Sequence, residues 1–123
     1  AYRKGRDQYA VSCGACHQAD GKGLANMAPT LAKSDWVTGD AKRLIGVAVH
    51  GLMGPIKVNG KLVEGVPPIM PPHGFMKDEQ LAGILTYVRN AWGNRAGLIS
   101  SEDITGYRKT ESARVAPWTE PEF

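Results

Sequence analysis

The sequence has no long apolar run, few metal-ligating side chains and no block of charge of one sign. No stretch approaches the about 18 consecutive apolar residues that suggest a membrane-spanning helix. Lys and Arg number 15 against 12 Asp and Glu, the charges are interspersed, and no basic stripe contains interleaved aromatic residues. We therefore expect no membrane span and no nucleic-acid binding. The length of 123 residues and the hydrophobic content of 42% are typical of one globular domain.

Cysteine occurs twice and histidine three times, which limits the possible metal and thiol chemistry. A Cys2His2 zinc site needs a second pair of ligands at short spacing, but His50 and His73 stand alone. A thioredoxin-like dithiol needs alternating strands and helices, and the segments around the cysteines do not alternate in that way. A disulfide alone would leave the adjacent histidine unexplained.

The cysteines lie in the sequence Cys13-Gly14-Ala15-Cys16-His17, which matches a c-type haem attachment site. In a helical turn this spacing places both thiols along one edge of a porphyrin, where they can form thioether bonds. The next residue then turns its imidazole under the iron. The motif predicts one covalent haem c, attached through Cys13 and Cys16, with His17 as an iron ligand.

From about residue 2 to residue 94 the sequence resembles the class I cytochromes c, a family of small all-helical electron carriers. Gly5 and Tyr9 occupy positions where this family has a glycine and an aromatic residue that let the first and last helices cross closely. Residues 84–88 resemble the last helix of the family. The resemblance implies an all-α class I cytochrome c fold wrapped around one covalent haem.

The same resemblance implies a set of haem contacts. Pro29 is similar to the family proline whose carbonyl accepts the second N–H of the ligand histidine, and Met70-Pro71 is similar to the axial methionine. Met70 lies in a stretch with four prolines, 65–75, and a stiff loop loses little entropy when a weak thioether binds. We therefore predict His17 and Met70 as the two protein ligands of iron.

Other side chains remain open as sixth ligands. Met76 has the position of an apolar residue that staples the start of the next helix, so we expect it in the core. His73 would give bis-histidine ligation. Met27 follows the haem motif too closely to reach the opposite face of the ring. Trp36 could pack beside the haem and donate its indole N–H to a propionate, or be a core tryptophan with an incidental partner.

Local patterns predict the remaining elements. We expect a first helix from residue 3 to about 14, a helix at 41–49 capped by Asp40, and a last family helix from about 78 to 92. Asn59-Gly60 between two apolar runs predicts a β-hairpin insertion near 56–63 with a type I′ turn. Met53, just before this hairpin, is expected in the core.

Beyond Asn94 the family pattern ends. We predict a cytochrome c domain at 1–94 and a C-terminal extension at 95–123 that either packs on the domain or docks a partner. Ser100 can cap a short helix through Tyr107, and 116–121 reads as extended chain. Trp118, between two prolines, is the candidate partner contact.

The predicted function is electron transfer by a His/Met-ligated haem, with no catalysis by the chain itself. Expected partners are a periplasmic dehydrogenase for a sugar, alcohol or sulfite, or a terminal oxidase. Four lysines, Lys22, Lys33, Lys57 and Lys77, could form a basic rim around the exposed haem edge. The alternative function is a five-coordinate haem enzyme or sensor that reduces peroxide or binds a gas. Because c-type haem is attached on the exported side of a membrane, we expect a periplasmic protein, either with its leader removed or as a piece of a larger exported protein.

Overall fold

The computed structural model describes residues 2–24, 28–63 and 69–123, and six α-helices dominate them. The helices are α1 (Tyr2–Ser12), α2 (Gly14–His17), α3 (Asp35–Thr38), α4 (Ala41–His50), α5 (Asp78–Asn90) and α6 (Ser101–Thr110). Met27 and the first part of the proline-rich loop, both considered above, lie outside the described residues. Within the described residues, no helix is long and apolar enough to cross a membrane.

Four short strands among the described residues form two antiparallel pairs. Strand β1 (Leu52–Met53) pairs with β4 (Ile69–Met70), and β2 (Lys57–Val58) pairs with β3 (Lys61–Leu62). The β2–β3 hairpin turns at Asn59 and Gly60, whose φ angles of 52° and 84° are both left-handed. A type I′ turn requires this combination, so the predicted hairpin insertion is confirmed.

Helices α1 and α5 cross at a pair of glycines. A Cβ atom at Gly5 would overlap the carbonyl oxygen of Gly83 and lie 3.3 Å from the Cβ of Tyr87. Tyr9, one turn further along α1, is 1% exposed, and its ring centroid lies 5.5 Å from that of Tyr87. The predicted close approach of the first and last family helices at Gly5 is therefore present, and only glycine permits it.

This crossing makes a testable prediction about stability. We expect Gly5→Ala to lower the free energy of unfolding by about 1–3 kcal/mol, because a methyl group would force two helix backbones apart. Gly106→Ala in α6 is the matched control, since a Cβ atom there meets nothing within 4 Å. The control should be stabilising by roughly 0.5–1 kcal/mol, because alanine favours a helix. Urea denaturation of the two haem-loaded variants measures both values, and an unchanged midpoint for Gly5→Ala would contradict the packing argument.

The helix boundaries follow local capping chemistry. The Asp40 carboxylate accepts a hydrogen bond from the Lys42 amide at 3.0 Å, which starts α4 as predicted. Ser100 and Asp103 form a reciprocal capping box at the start of α6, which runs three residues beyond the predicted end. Helix α5 ends at Asn90 rather than Trp92, since Ala91 has extended backbone angles.

Asn94, which the sequence marks only as a helix stop, ties α5 to a distant loop. Its side-chain amide donates to the carbonyls of Val88 and Leu31, at 2.8 and 3.1 Å. Its carbonyl oxygen accepts from the Lys33 amide at 2.6 Å. The side chain is 4% exposed, so these buried bonds fix the end of α5 against residues 31–33.

In the part of the chain that the structure describes, the core consists of two apolar clusters. The larger joins α1, α4, α5 and α6, and the smaller contains Trp36, Val47 and Leu52 with Met70 and Trp118 packed against it. The expectation that Met53 lies in the core is wrong, because its side chain is 38% exposed. Neighbouring side chains in a strand face opposite sides, and Leu52 takes the inward position.

The C-terminal extension packs on the rest of the chain. Helix α6 lies against α5 and α4, and its Ile104 is fully buried. After α6 the chain returns to β1, where Trp118 forms a parallel bridge with Leu52. A 3-10 turn, Glu120–Glu122, follows and overlaps the end of the stretch 116–121, which the sequence predicts as extended chain.

Candidate functional site

The two cysteines and His17 lie on one turn of helix. Cys13 is the N-cap residue of α2, and its carbonyl accepts from the amides of Cys16 and His17 at 3.2 and 3.0 Å. Both thiols are free; that of Cys13 is half-buried and that of Cys16 is exposed. Burial, together with the nearby Cys16 thiol, raises the pKa of Cys13 to about 11, so it is a protonated thiol at neutral pH.

The His17 imidazole is held in one orientation by Pro29. Its Nδ1 lies 3.0 Å from the Pro29 carbonyl oxygen, and a carbonyl can only accept, so Nδ1 carries the proton. Nε2 is then left with a lone pair that can bind a metal. Burial lowers the pKa of His17, His73 lowers it further, and the bond to Pro29 opposes both effects. The ring therefore stays neutral, which is the state that ligates iron.

His17 and Cys13 border an apolar cavity with an empty volume of about 830 Å³, including the part that opens to solvent. Pro29 lines the same cavity, and Met70, His73 and Met76 reach it from residues 69–76, which we call the methionine loop. Helices α4 and α5 supply aliphatic walls through Leu44, Val47, Ala48, Leu81, Ile84, Leu85 and Val88. Such a cavity suits a flat apolar group with a metal at its centre.

Among the described residues, three candidates for the sixth iron ligand thus lie at the cavity, and they differ in packing. Met70 is half-buried in β4, where it pairs with Leu52 of β1. Met76 is 8% exposed and belongs to the larger core cluster, as expected from its position. His73 is half-buried, and its amide donates to the Ala48 carbonyl at 2.8 Å.

Trp36 lies at the cavity wall with its indole N–H already bonded. The side chain is 7% exposed, and Nε1 donates to the Lys57 carbonyl at 2.7 Å. The Arg43 guanidinium lies 4.3 Å from the ring centroid. The indole N–H thus has a partner within the protein, as in the alternative of a core tryptophan with an incidental partner.

The structure thus brings Cys13, His17, Pro29, Trp36 and Met70 to one cavity, while Cys16 is exposed on the same turn. Two thiols for covalent attachment, a neutral imidazole as a metal ligand and apolar walls around them fit haem c.

Gly51 is a residue of this region that the sequence analysis missed. Its φ angle is 87°, and a Cβ atom there would lie 2.6 Å from the Met70 carbonyl oxygen. A glycine directly after a helix is the usual signal for a helix stop, and it gives no sign that a distant loop approaches.

The sequence profile described as Cytochrome c matches residues 2–92, which is most of the chain. The chain therefore belongs to the cytochrome c family, with the class I fold, one covalently bound haem c and a role in electron transfer rather than catalysis.

Curated relatives fall into two groups. The chain is 32% identical over 111 residues to the "Alcohol dehydrogenase (quinone), cytochrome c subunit" of Gluconacetobacter polyoxogenes, covering 86% of this chain and 22% of that protein. It is 31% identical over 117 residues to the "Gluconate 2-dehydrogenase cytochrome c subunit" of Pantoea cypripedii, covering 90% and 25%. Cytochrome c-552 of Thermus thermophilus is 35% identical over 88 residues, covering 68% and 65%. The chain thus spans about a quarter or less of the dehydrogenase subunits that it matches.

Proposed function

We propose that this chain is a one-electron carrier that accepts electrons from a periplasmic dehydrogenase, either as a free acceptor or as a domain of its cytochrome subunit. Cys13 and Cys16 attach the haem through thioether bonds, and His17 and Met70 ligate its iron. When bound, the haem supplies the one-electron change between Fe(III) and Fe(II). The apolar cavity bordered by the thiol of Cys13 and the neutral His17 imidazole is the observation that carries this proposal.

Met70 is the best sixth ligand because of how the three candidates are packed. Met76 fills the larger core cluster at the start of α5, and moving a buried methionine leaves a hole that costs about 2–5 kcal/mol. Met70 is only half-buried and lies in a strand pair that fixes its backbone beside the cavity. Ligation by Met70 therefore costs the core less than ligation by Met76.

The ligands and cavity walls tune the reduction potential in opposite directions. A thioether ligand and low-dielectric walls disfavour the extra positive charge of the oxidised state, so they raise the potential. The Pro29 carbonyl makes the His17 imidazole a stronger donor, which lowers the potential. We expect a positive potential as the net result, because the aliphatic walls surround most of the cavity.

The dehydrogenase partner is proposed from the relatives. Two of the proteins above are named as cytochrome c subunits of dehydrogenases, one for alcohol and one for gluconate. This chain aligns with about a quarter or less of each, so it matches one segment of those longer subunits. A periplasmic location follows from the attachment of c-type haem on the exported side of the membrane.

A groove next to the cavity offers a docking position for the donor. The groove lies between residues 22–24 and 28–30 on one side and the β2–β3 hairpin on the other, and it shares Pro29, Thr30 and Val58 with the cavity lining. Lys22 and Lys61 stand along it. Of the predicted rim lysines, Lys33, Lys57 and Lys77 are exposed outside this groove, while Lys61 is an addition from the structure.

The experiment is the rate of reduction by the catalytic part of a quinone-linked alcohol or gluconate dehydrogenase, measured by stopped-flow absorbance. We expect Lys22→Glu with Lys61→Glu to slow reduction by about tenfold at low salt, because opposite charges accelerate encounter. High salt should remove most of the difference.

Lys4→Glu with Lys109→Glu, on α1 and α6, is the control, since it reverses two exposed lysines outside the groove and so changes the net charge equally. Equal slowing by the control would assign the effect to net charge. Failure of both dehydrogenases to reduce the wild-type protein would contradict the proposed donor class.

A further inference from the structure

We propose that the C-terminal extension, residues 95–123, braces the methionine loop at both ends, and that Arg108 and Trp118 are positioning residues for the Met70 thioether. This inference rests on the proposed function, because it takes Met70 as the sixth ligand. It assigns a role to a segment that lies entirely beyond the family match, which ends at residue 92.

Arg108 of α6 holds the C-terminal end of the loop. Its guanidinium donates to the Gly74 carbonyl at 2.8 Å and to the Met76 carbonyl at 2.6 Å. It also pairs with the Asp78 carboxylate at 2.6 Å. Thr105 donates to the other oxygen of Asp78, and these bonds lower the pKa of Asp78. One side chain of the extension thus joins the loop end to the first residue of α5.

Trp118 holds the other end through strand β1. Its amide donates to the Gly51 carbonyl at 3.0 Å, and its carbonyl accepts from the Met53 amide at 2.8 Å. Leu52 therefore pairs with Trp118 on one edge and with Met70 on the other. The backbone of Met70 is consequently the outer member of a three-segment ladder that the extension completes.

Side chains of the extension lock this ladder in place. The Trp118 Nε1 donates to the Tyr107 hydroxyl at 2.8 Å, and that oxygen lies 2.7 Å from the His50 Nδ1. The His50 Nε2 lies 3.0 Å from the Arg114 carbonyl, so Nε2 is the donor and Nδ1 can accept from Tyr107. The Arg114 guanidinium stacks 3.4 Å above the Trp118 ring. Each polar side-chain group in this series of hydrogen bonds has a partner, which favours one position of Trp118.

The contacts made by Trp118 and Arg108 at the two ends of the methionine loop affect how firmly Met70 is retained as a ligand. A thioether is a weak ligand, so its retention depends on how much freedom its loop gains on release. With both ends fixed, a released Met70 gains little freedom and rebinds readily. Loosening either end should therefore favour an external competitor for the same coordination position.

The experiment is a titration of the oxidised haem-loaded protein with imidazole, followed through loss of the thioether charge-transfer band. We expect Arg108→Gln and Trp118→Ala each to bind imidazole about tenfold more tightly, since one lost charge-assisted or buried hydrogen bond shifts an equilibrium by roughly that factor. Tyr107→Phe removes only the hydroxyl that links Trp118 to His50, and it gives a milder test of the Trp118 contact if Trp118→Ala does not fold. It should show a smaller change in the same direction.

Arg89→Gln is the matched control. Arg89 is buried, whereas Arg108 is half-buried, and like Arg108 it donates to main-chain carbonyls. These are the carbonyls of Val37, Gly39 and Gly97, and none of them belongs to the methionine loop. It should lower the urea midpoint while leaving imidazole affinity within about twofold of wild type, because it touches neither end of the loop. An equal rise in affinity for Arg89→Gln would overturn the brace and indicate general destabilisation.

A further variant separates the two proposals. Suppose that Met70→Ala abolishes the band, but that Arg108→Gln, Trp118→Ala and Tyr107→Phe bind imidazole as the wild type does. The brace is then wrong and the ligand assignment stands. If Met70→Ala retains the band, the ligand assignment is wrong and the brace falls with it.

Discussion

Replacing Met70 with alanine is expected to abolish the thioether charge-transfer band and to lower the reduction potential by on the order of 0.1 V or more, within the span of about 0.8 V that axial ligands cover. The thioether favours Fe(II), so its loss leaves the oxidised state relatively more stable. Because Met70 is only half-buried, we expect its truncation to lower the free energy of unfolding little, so that the main effect is on the reduction potential. Potentiometric titration with optical detection measures both quantities in one sample.

Met76→Ala is the control for this result, because both methionines line the same cavity. Met76 is 8% exposed in the larger cluster, so its truncation should cost about 2–5 kcal/mol of stability while the band remains. The reverse pattern, with the band lost only in Met76→Ala, would move the ligand to Met76. If the band persists in both variants, neither Met70 nor Met76 is the sixth ligand.

Replacing both Cys13 and Cys16 with alanine is expected to yield a chain without covalent haem and without a stable fold. The two core clusters face one cavity, and its aliphatic walls need an apolar occupant to stay out of water. Leaving that space unfilled should cost about 5 kcal/mol or more, comparable with the whole stability of a typical domain, about 5–15 kcal/mol. The loss should therefore exceed that of any single core substitution.

Mass spectrometry of the denatured protein and far-ultraviolet circular dichroism test this expectation. The double variant should have the mass of the bare polypeptide and little helical signal, whereas Cys16→Ala should keep one thioether and much of the helix content. Haem that stays with the denatured double variant, or a native helical signal without haem, would contradict the account.

Much of the helical fold was predictable because its signals are local. Asp40 and Ser100 cap helices through their own side chains, and Asn59-Gly60 encodes a turn within two residues. The crossing at Gly5 was predictable only through the family resemblance, since no local pattern shows which helix a glycine meets. Met53 was misjudged because a two-residue strand is too short to show an alternating pattern.

The site also has a part that the sequence predicts and a part that depends on how the chain folds. The haem motif is contiguous in sequence, so Cys13, Cys16 and His17 could be named together. The indole partner of Trp36, the Lys57 carbonyl, depends on how the hairpin folds back, and no pattern in the sequence specifies such a contact. The brace by Arg108 is also invisible in sequence, because it joins side-chain nitrogens to main-chain oxygens about thirty residues away.

The glycine crossing of α1 and α5 has a consequence for the order of events during biosynthesis. The haem motif is synthesised well before α5, the helix that packs against α1, which begins only at Asp78. Contacts between segments so distant in the chain form slowly, because the intervening polypeptide must first be brought together. During that interval the thiols are not enclosed by a finished core. Covalent attachment can therefore precede folding, and the prosthetic group then acts as the nucleus on which the last helix condenses.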